Sequence, residues 1–158
     1  MAEKTERELA QANIAENRKA YHDYHILDEW EAGIVLLGTE VKSIREGRVN
    51  LRDSYARIEK GELWLCNVNV SAYSHRGYAD HEPMRQRKLL LRREEIRKLI
   101  GKTTEKGMTL VPLRLYFKNG RVKVAVGLAK GKKDYDKRET IKGREVDRAT
   151  RAAIRSRR

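Results

Sequence analysis

Two apolar runs joined by Asn119-Gly120 are the feature that most constrains how this chain of 158 residues can fold. The runs span residues 108–117 and 121–129 and are rich in valine, leucine and other residues that favour strands. An Asn-Gly pair between such runs favours a tight two-residue turn, because both residues tolerate a positive φ. The sequence therefore predicts a long antiparallel hairpin.

Further strands are predicted upstream of this hairpin. Residues 24–37 include a continuous apolar run that is typical of a strand buried on both faces. Residues 54–58 and 62–70 alternate in hydrophobicity with a period of two, and Lys60-Gly61 separates them. These two segments predict a second hairpin.

Two helices are predicted between the strands. Residues 39–47 begin at a capping threonine and end at a glycine. Residues 87–100 place leucine and isoleucine at helical spacing among cations, while residues 73–83 are predicted to form a loop. Five or six strands, two or three helices and no βαβ spacing favour a mainly β fold with flanking helices. We predict an antiparallel barrel of the oligonucleotide-binding type.

Charge divides the chain into unequal parts. The sequence has 36 Lys and Arg against 23 Asp and Glu, a formal net charge of +13. Residues 130–158 hold 12 of these cations and 5 of the acids, and they have few large apolar side chains to offset the entropy of ordering them. We predict a flexible N-terminus at 1–13, a barrel domain at 14–129 and a basic C-terminal tail at 130–158 that is disordered in the free protein.

A basic excess of this size favours a polyanionic partner, most commonly nucleic acid. No stretch approaches the 18 apolar residues of a membrane span, and residues 1–19 lack the apolar core of a secretory signal. The single cysteine, Cys66, has no partner for a disulfide or a zinc site. We expect a soluble monomer in a reducing compartment, without membrane, metal or cofactor.

No motif indicates catalysis. The four histidines lack the ligands that a zinc site requires, and the chain has neither a nucleophile elbow nor a glycine-rich phosphate loop. We therefore expect no enzymatic activity. Three classes remain open at this point: an RNA-binding adaptor, a small basic ribosomal protein, and an RNA-modifying or RNA-cleaving enzyme that uses a histidine.

Cations, aromatic rings and an amide lie close together at residues 17–24, a combination that suits single-stranded or looped RNA. The equally plausible alternative is the solvated start of a helix. The candidate RNA-binding residues of this segment are Asn17, Arg18, Lys19 and His22.

A second group of candidates lies in three other segments. Glu31 is an acid in an apolar strand, where its carboxylate either accepts a hydrogen bond from a base, holds a basic side chain, or simply faces water at a strand edge. The basic run 85–93 either lines a groove or exposes its cations while its leucines join the core. The candidates from these segments and from helix 39–47 are Glu31, Lys42, Arg45, Arg87, Lys88 and Leu91.

Longer motifs carry a family resemblance. The segment Asn17-Arg18-Lys19-Ala20-Tyr21-His22-Asp23-Tyr24, followed by Glu31-Ala32-Gly33-Ile34, resembles the small protein B family, the SsrA-binding proteins. The likeness continues through residues 38–45, 53–55, 87–91, 110–113 and 129–138, in one register over about residues 14–140.

The resemblance implies a barrel of the oligonucleotide-binding type in the bacterial cytoplasm. It implies binding to the tRNA-like domain of transfer-messenger RNA and delivery of that RNA to stalled 70S ribosomes for trans-translation. Asn17, Glu31 and the block 89–91 match family positions for RNA binding. His22 and the tail motifs Gly131-Lys132-Lys133 and Asp136-Lys137-Arg138 match positions tied to the ribosomal step.

Arginines in the tail follow a helical period. On a helix of 3.6 residues per turn they fall along one stripe, which suits a helix laid against RNA phosphates. The alternative is a solvated run of charge. With the resemblance, this spacing predicts a tail that becomes helical on the ribosome, in the decoding region and the empty messenger channel. The stripe consists of Arg144, Arg148, Arg151 and Arg155, with Arg158 beyond it.

Overall fold

The computed structural model describes residues 13–72, 81–105 and 107–156. The strands in these ranges are β1 (Asn13–Glu16), β2 (Tyr24–Ile34), β3 (Val49–Asn50), β4 (Tyr55–Glu59), β5 (Glu62–Cys66), β6 (Asn69–Val70), β7 (Arg87–Leu90), β8 (Met108–Lys118) and β9 (Arg121–Gly131). The helices are α1 (Arg18–Asp23), α2 (Gly38–Arg45), α3 (Arg93–Thr103) and α4 (Asp134–Ser156).

Six strands close into an antiparallel barrel in the order β8-β4-β5-β7-β2-β9, because β9 pairs with both β2 and β8. Strands β4 and β8 close the barrel through the single pair Ala56↔Leu110. Strand β1 also pairs with β8. Strands β3 and β6 form a separate two-stranded ribbon. The predicted fold class, a β-barrel with flanking helices, is confirmed.

The hairpin predicted at Asn119-Gly120 is the longest in the barrel. Strands β8 and β9 pair from Met108↔Lys130 to Lys118↔Arg121, and the two turn residues have φ values of 52° and 74°. The second predicted hairpin is formed by β4 and β5 around Lys60-Gly61. Both turns need the left-handed backbone that Asn, Lys and Gly adopt here, and glycine does so at no steric cost.

Leucine and valine side chains fill the barrel. Alternate residues of each strand point inward, so a continuous core forms from β2, β4, β5, β7, β8 and β9. Its fully buried members include Leu63, Leu65, Leu89, Leu110, Leu115, Val124 and Val126. A second, smaller cluster lies outside the barrel wall, where Ala20 of α1 packs against Val111, Leu113, Ala125 and Ala129.

A bulge in β8 separates these two layers. The pairing of β8 with β9 shifts between Pro112 and Arg114, so Leu113 is the extra residue and turns outward. Its side chain lies over Gly127, where an added Cβ would approach Leu113 Cδ1 to 2.9 Å. Any side chain at position 127 would therefore force Leu113 to shift.

The predicted helix at 87–100 is wrong in its first part. Residues 87–90 form β7, which pairs with β5 through Leu89 and with β2 through Leu90, and helix α3 starts only at Arg93. Tertiary pairing overrides local helix propensity here because Leu89 completes the barrel interior. Strand β9 also continues to Gly131, two residues past the predicted domain boundary.

The tail is a single helix in this structure rather than an irregular segment. Helix α4 runs from Asp134 to Ser156, about 35 Å at 1.5 Å per residue. Wherever its side chains are described beyond Arg138, they are exposed. Almost no packing holds α4 against the barrel, and disorder of the tail in the free protein remains our prediction. Residues 1–12, 73–80 of the predicted loop and Arg158 lie outside the described residues.

A buried ion pair joins α2 to β7. The Arg87 side chain is fully buried, and its Nε donates to the Glu40 carboxylate, which is also fully buried. Its Nη1 and Nη2 donate to the carbonyls of Val68 and Pro83 at 3.0 and 3.2 Å. Arg87 was predicted to bind RNA, and that prediction is wrong: no part of its side chain reaches the surface.

Glu40 is ionised in this setting. Burial opposes its charge, but hydrogen bonds from Arg85, from the backbone N–H of Leu37 and from Arg87 outweigh it and lower the pKa of Glu40. Because the pKa of Glu40 is lowered in the folded state, the charged carboxylate stabilises the fold at any pH above the usual carboxyl pKa. This contribution is lost as the pH falls through the folded-state pKa.

No helix in the described ranges is long and apolar enough to cross a membrane.

Removing either partner of the buried pair is expected to destabilise the barrel by about 3–5 kcal/mol. Glu40→Gln is the more damaging change, because it leaves Arg87 buried without a counter-charge, whereas Arg87→Met leaves Glu40 with Arg85 at 2.5 Å. The free energy of unfolding in urea measures both effects.

The matched control is Lys88→Met, since Lys88 pairs with Glu62 at 3.1 Å on the exposed wall of the barrel. Exposed pairs contribute about 0–1 kcal/mol. Equal losses for Lys88→Met and Glu40→Gln would contradict a structural role for the buried pair.

Candidate nucleic-acid interface

Glu31 lies at the centre of an open groove across the ends of β2, β7 and β9. We call this the Glu31 groove. Its lining side chains, with the glycine at its floor, are Glu31, Gly33, Leu90, Leu91, Arg92, Glu95 and Lys123. On the β8 side the groove adjoins a polar depression lined by Asn13, Arg114, Tyr116 and Lys118 together with Glu31.

Small residues of β9 allow β2 and β8 to contact each other across an intervening strand. Ala125 pairs with Glu31 on one side and with Arg114 on the other. Because its side chain is a single methyl group, Glu31 reaches over it to β8. There the Tyr116 hydroxyl donates to Glu31 Oε2 at 2.6 Å, and Lys118 Nζ donates to Oε1 at 3.1 Å.

These contacts hold the Glu31 carboxylate in its charged form. The hydrogen bond from Tyr116 lowers the pKa of Glu31 more than burial raises it, and Lys118 and Lys123 lower it further. Burial and the same carboxylate raise the pKa of Tyr116 far above its ordinary value. Of the alternatives open for Glu31, the structure favours a carboxylate that orients Lys118.

The three leucines of the basic run occupy three different environments. Leu89 is in the core, Leu91 is half-buried against it, and Leu90 is 50% exposed in the wall of the groove. Leu91 lines the same groove as Glu31. Leu89 thus joins the core while Leu90 and Leu91 line the groove, so the predicted core role and the predicted groove role each hold for part of the run.

Sequence reasoning missed four basic or aromatic side chains that surround Glu31. Arg114, Tyr116 and Lys118 alternate along β8 and thus face one side of the sheet, and Lys123 lies on the same side of β9. The period of two in residues 114–118 is a signal that could have identified them. Arg114 also pairs with Glu29 at 2.9 Å.

Asn17 holds α1 onto the barrel. Its side-chain Nδ2 donates to the Pro112 carbonyl at 2.9 Å, its backbone N–H donates to the Leu113 carbonyl at 2.8 Å, and its Oδ1 accepts the N–H of Ala20 as an N-cap. Its surface is 4% exposed. Asn17 therefore fixes α1 to the bulge of β8, and little of the Asn17 surface is left to contact RNA.

The remaining candidates on α1 form a second surface with the start of the tail. Lys19 donates to Asp53, whose pKa this contact lowers, and Arg18 is almost fully exposed. The Nδ1–H of His22 donates to the Asp23 carboxylate at 2.8 Å. We call Arg18, Lys19 and His22, together with Lys132 and Lys137, the α1–tail surface.

Asp23 and Tyr21 anchor the tail at this surface. The backbone N–H of Lys132 donates to the Asp23 carbonyl at 2.8 Å, and its Nζ donates to the Tyr21 carbonyl at 3.0 Å. Lys137 Nζ lies 3.9 Å from the Asp23 carboxylate. His22 and the two predicted tail motifs therefore meet at one place.

The other predicted residues lie apart from both surfaces or along α4. Lys42 and Arg45 are exposed on α2, and Lys88 is on the outer wall of β7. Gly131 ends β9, Lys133 precedes α4, and Asp136 is in the first turn of α4, although its side chain is outside the description. The exposed cations on α4 are Lys142 and the predicted Arg138, Arg144, Arg148, Arg151 and Arg155.

The chemistry of the two surfaces suits RNA. The Glu31 groove offers apolar leucines, cationic side chains and the fixed carboxylate of Glu31, which fit bases, phosphates and a donor on a base edge or sugar. Within the described residues, no group of three His, Cys, Asp or Glu side chains is placed to hold a metal ion.

The fold and these surfaces define the class: a small RNA-binding β-barrel protein with a basic helical extension. A family model described as "SmpB protein" matches residues 14–156. The chain therefore belongs to the SmpB protein family.

Relatives support this assignment over nearly the full length. The chain is 63% identical over 144 residues to the SsrA-binding protein of Carboxydothermus hydrogenoformans, covering 91% of this chain and 97% of the relative. It is 57% identical over 148 residues to the SsrA-binding protein of Corynebacterium diphtheriae, covering 94% and 91%. A chain in a solved structure described as "tmRNA-SmpB: a journey to the center of the bacterial ribosome" is 54% identical, with a TM-score of 0.65 over 76% of this chain and 85% of that one.

Tyr116→Phe is expected to raise the pKa of Glu31 toward its ordinary value of 4.5, because the hydroxyl is the largest cause of the lowered pKa. An NMR titration of the Glu31 carboxyl carbon measures the shift. Tyr55→Phe, which removes a hydroxyl from an exposed tyrosine of β4, should leave that titration unchanged. An unaltered Glu31 pKa in Tyr116→Phe would rule out the hydroxyl as its main partner.

Proposed function

We propose that this protein is an RNA-binding adaptor of trans-translation. It binds the tRNA-like domain of transfer-messenger RNA in the bacterial cytoplasm and delivers that RNA to ribosomes stalled on truncated messages. The observation that carries this proposal is identity of about 60% to SsrA-binding proteins over nearly the whole chain. The protein's own contribution is to bind and position RNA.

The Glu31 groove is the proposed contact with the tRNA-like domain. Lys118, Lys123 and Arg114 supply positive charge around it, and Leu90 and Leu91 supply apolar contact. Glu31 accepts a hydrogen bond from the RNA while it keeps Lys118 in place. Phosphate contacts set the affinity, and the carboxylate and the leucines set the fit to one folded RNA.

The α1–tail surface and α4 are the proposed contacts with the ribosome. In the described structure, four arginines of α4 are exposed to solvent: Arg144, Arg148, Arg151 and Arg155. Along RNA phosphates the mutual repulsion of these cations becomes attraction. A helix of about 35 Å suits the empty messenger channel next to the decoding region.

RNA affinity is expected to fall steeply with salt, and Glu31 is expected to act independently of it. If about six phosphates are neutralised, the affinity falls by about 10³-fold between 50 and 200 mM salt. Glu31→Ala should weaken binding at every salt concentration without changing the slope, because a carboxylate releases no counterions. Lys118→Ala should make the slope shallower by about 0.7 to 0.9.

Fluorescence anisotropy with a transcribed tRNA-like domain measures both quantities. Glu62→Ala, which removes a carboxylate from β5, two strands away from β2, is the control for lost negative charge. Wild-type affinity in Glu31→Ala would remove Glu31 from the interface.

The tail is expected to be needed for rescue but not for RNA binding. Truncation after Lys133 keeps all of β9 and the Lys132 anchor, so we expect a folded protein that still co-purifies with transfer-messenger RNA but no longer supports rescue of stalled ribosomes. Ala149→Pro should have the same effect, since proline breaks α4 without removing a charge.

Ala149→Ser is the matched control, because serine keeps both the charge and the helix. Sequencing of RNA that co-purifies from the protein's own cells, together with a ribosome-rescue assay, measures both steps. Normal rescue by Ala149→Pro would mean that the tail acts as an unstructured polycation. Stoichiometric co-sedimentation with all ribosomes, without enriched transfer-messenger RNA, would instead indicate a structural ribosomal protein.

A further inference from the structure

The Glu31 groove does not end at the residues assigned above. Gly33, Leu90 and Lys123 also line a second depression of about 360 Å³, which continues toward α2 and the β8–β9 turn. We call it the distal pocket. Its defining residues are Gly33, Leu36, Val41, Leu90, Arg121 and Lys123.

The distal pocket has a mixed lining, in which polar atoms expose about as much surface as apolar ones. Leu90 follows the buried Leu89 but leaves 50% of its surface exposed. Leu36 and Val41 are half-buried and face the same space. Because half of the Leu90 side chain is exposed, it contributes little to the stability of the fold and is available to contact a ligand.

Gly33 forms the floor of the pocket. A Cβ at this position would lie 3.3 Å from Leu90 Cβ and 3.7 Å from Lys123 Nζ. Its φ is not positive, so glycine is not required here by the backbone. What glycine provides is space at the point where the Glu31 groove opens into the distal pocket.

Two cations stand at the mouth of the pocket. Arg121 is exposed at the β8–β9 turn, and no carboxylate in the described part of the chain pairs with it. Lys123 lies between the pocket and Glu31. A pocket of mixed lining, with an exposed leucine and with cations at its opening, suits a nucleobase whose flanking phosphates stay outside, since bases have flat apolar faces with polar edges and phosphates bind Arg and Lys.

We propose that the distal pocket takes an unstacked nucleobase of the RNA that lies in the Glu31 groove, with the adjacent phosphates on Arg121 and Lys123. This inference rests on the proposed function, since it assigns a further subsite to the same RNA. Two features support it: the pocket is continuous with the groove through Gly33 and Leu90, and its charge is opposite to that of RNA. RNA recognition commonly uses such splayed-out bases.

Pocket filling and charge removal test the proposal on the full-length protein. The probe is an in vitro transcribed tRNA-like domain of transfer-messenger RNA. Gly33→Val, which narrows the pocket at its floor, and Arg121→Gln should each lower the affinity about tenfold, the equivalent of about 1.4 kcal/mol. Chemical probing of the base edges should show one unpaired base protected by the wild-type protein and reactive again with Gly33→Val, while the rest of the footprint persists.

Matched controls separate the pocket from general effects. Gly101→Ala adds a side chain where nothing lies within 4 Å, and Arg57→Gln removes the same charge from the wall formed by β4. Both should bind as the wild type does. Thermal unfolding shows whether Gly33→Val is folded; if it is not, Arg121→Gln and the milder Gly33→Ala carry the test.

The outcomes distinguish this inference from the function on which it rests. If the wild-type protein does not bind the RNA, the proposed function fails. If the wild-type protein binds, and Glu31→Ala weakens binding while Arg121→Gln and the folded Gly33 variants leave the affinity and the footprint unchanged, the function stands and the pocket inference is overturned. Weakened ribosome co-sedimentation with intact RNA affinity would also overturn it, because the occupant would then belong to the ribosome.

Discussion

The buried ion pair between Glu40 and Arg87 is the interaction on which the arrangement of this protein depends. Two opposite charges without solvent contact are stable only when each has its partner, so α2 and β7 are fixed relative to each other. The remaining guanidinium donors tie in the carbonyls of Val68 and Pro83. Because β7 continues directly into Leu90 and Leu91, the same pair positions one wall of the Glu31 groove.

Small side chains in β9 are the second condition for the groove. Ala125 leaves room for Glu31 of β2 to reach Tyr116 of β8, and Gly127 leaves room for the outward-turned Leu113. A larger residue at position 125 would separate Glu31 from Tyr116, and one at position 127 would displace Leu113. The site therefore depends on the small side chains of β9 as much as on the functional side chains of β2 and β8.

Local patterns predicted most strands but not the contacts between them. The turn at Asn119-Gly120 and the hairpin of β4 and β5 followed from turn chemistry and alternation. Arg87 was misassigned because its partner lies 47 positions away in sequence, and nothing local distinguishes a buried cation from its exposed neighbours. The separation between Glu31 and Tyr116 is 85 positions, so the family resemblance located Glu31 while its partners emerged only from the fold.

The uninterrupted course of β9 makes it a rigid spacer between the two surfaces. From Ala125, beneath Glu31, the strand runs to Gly131, and the tail follows at Lys132 on α1. Six residues at about 3.4 Å each separate Ala125 from Gly131, the last residue of β9, by about 20 Å. This spacing is set by the strand, so whatever is held in the groove lies at a set distance from the point where the tail is anchored on α1.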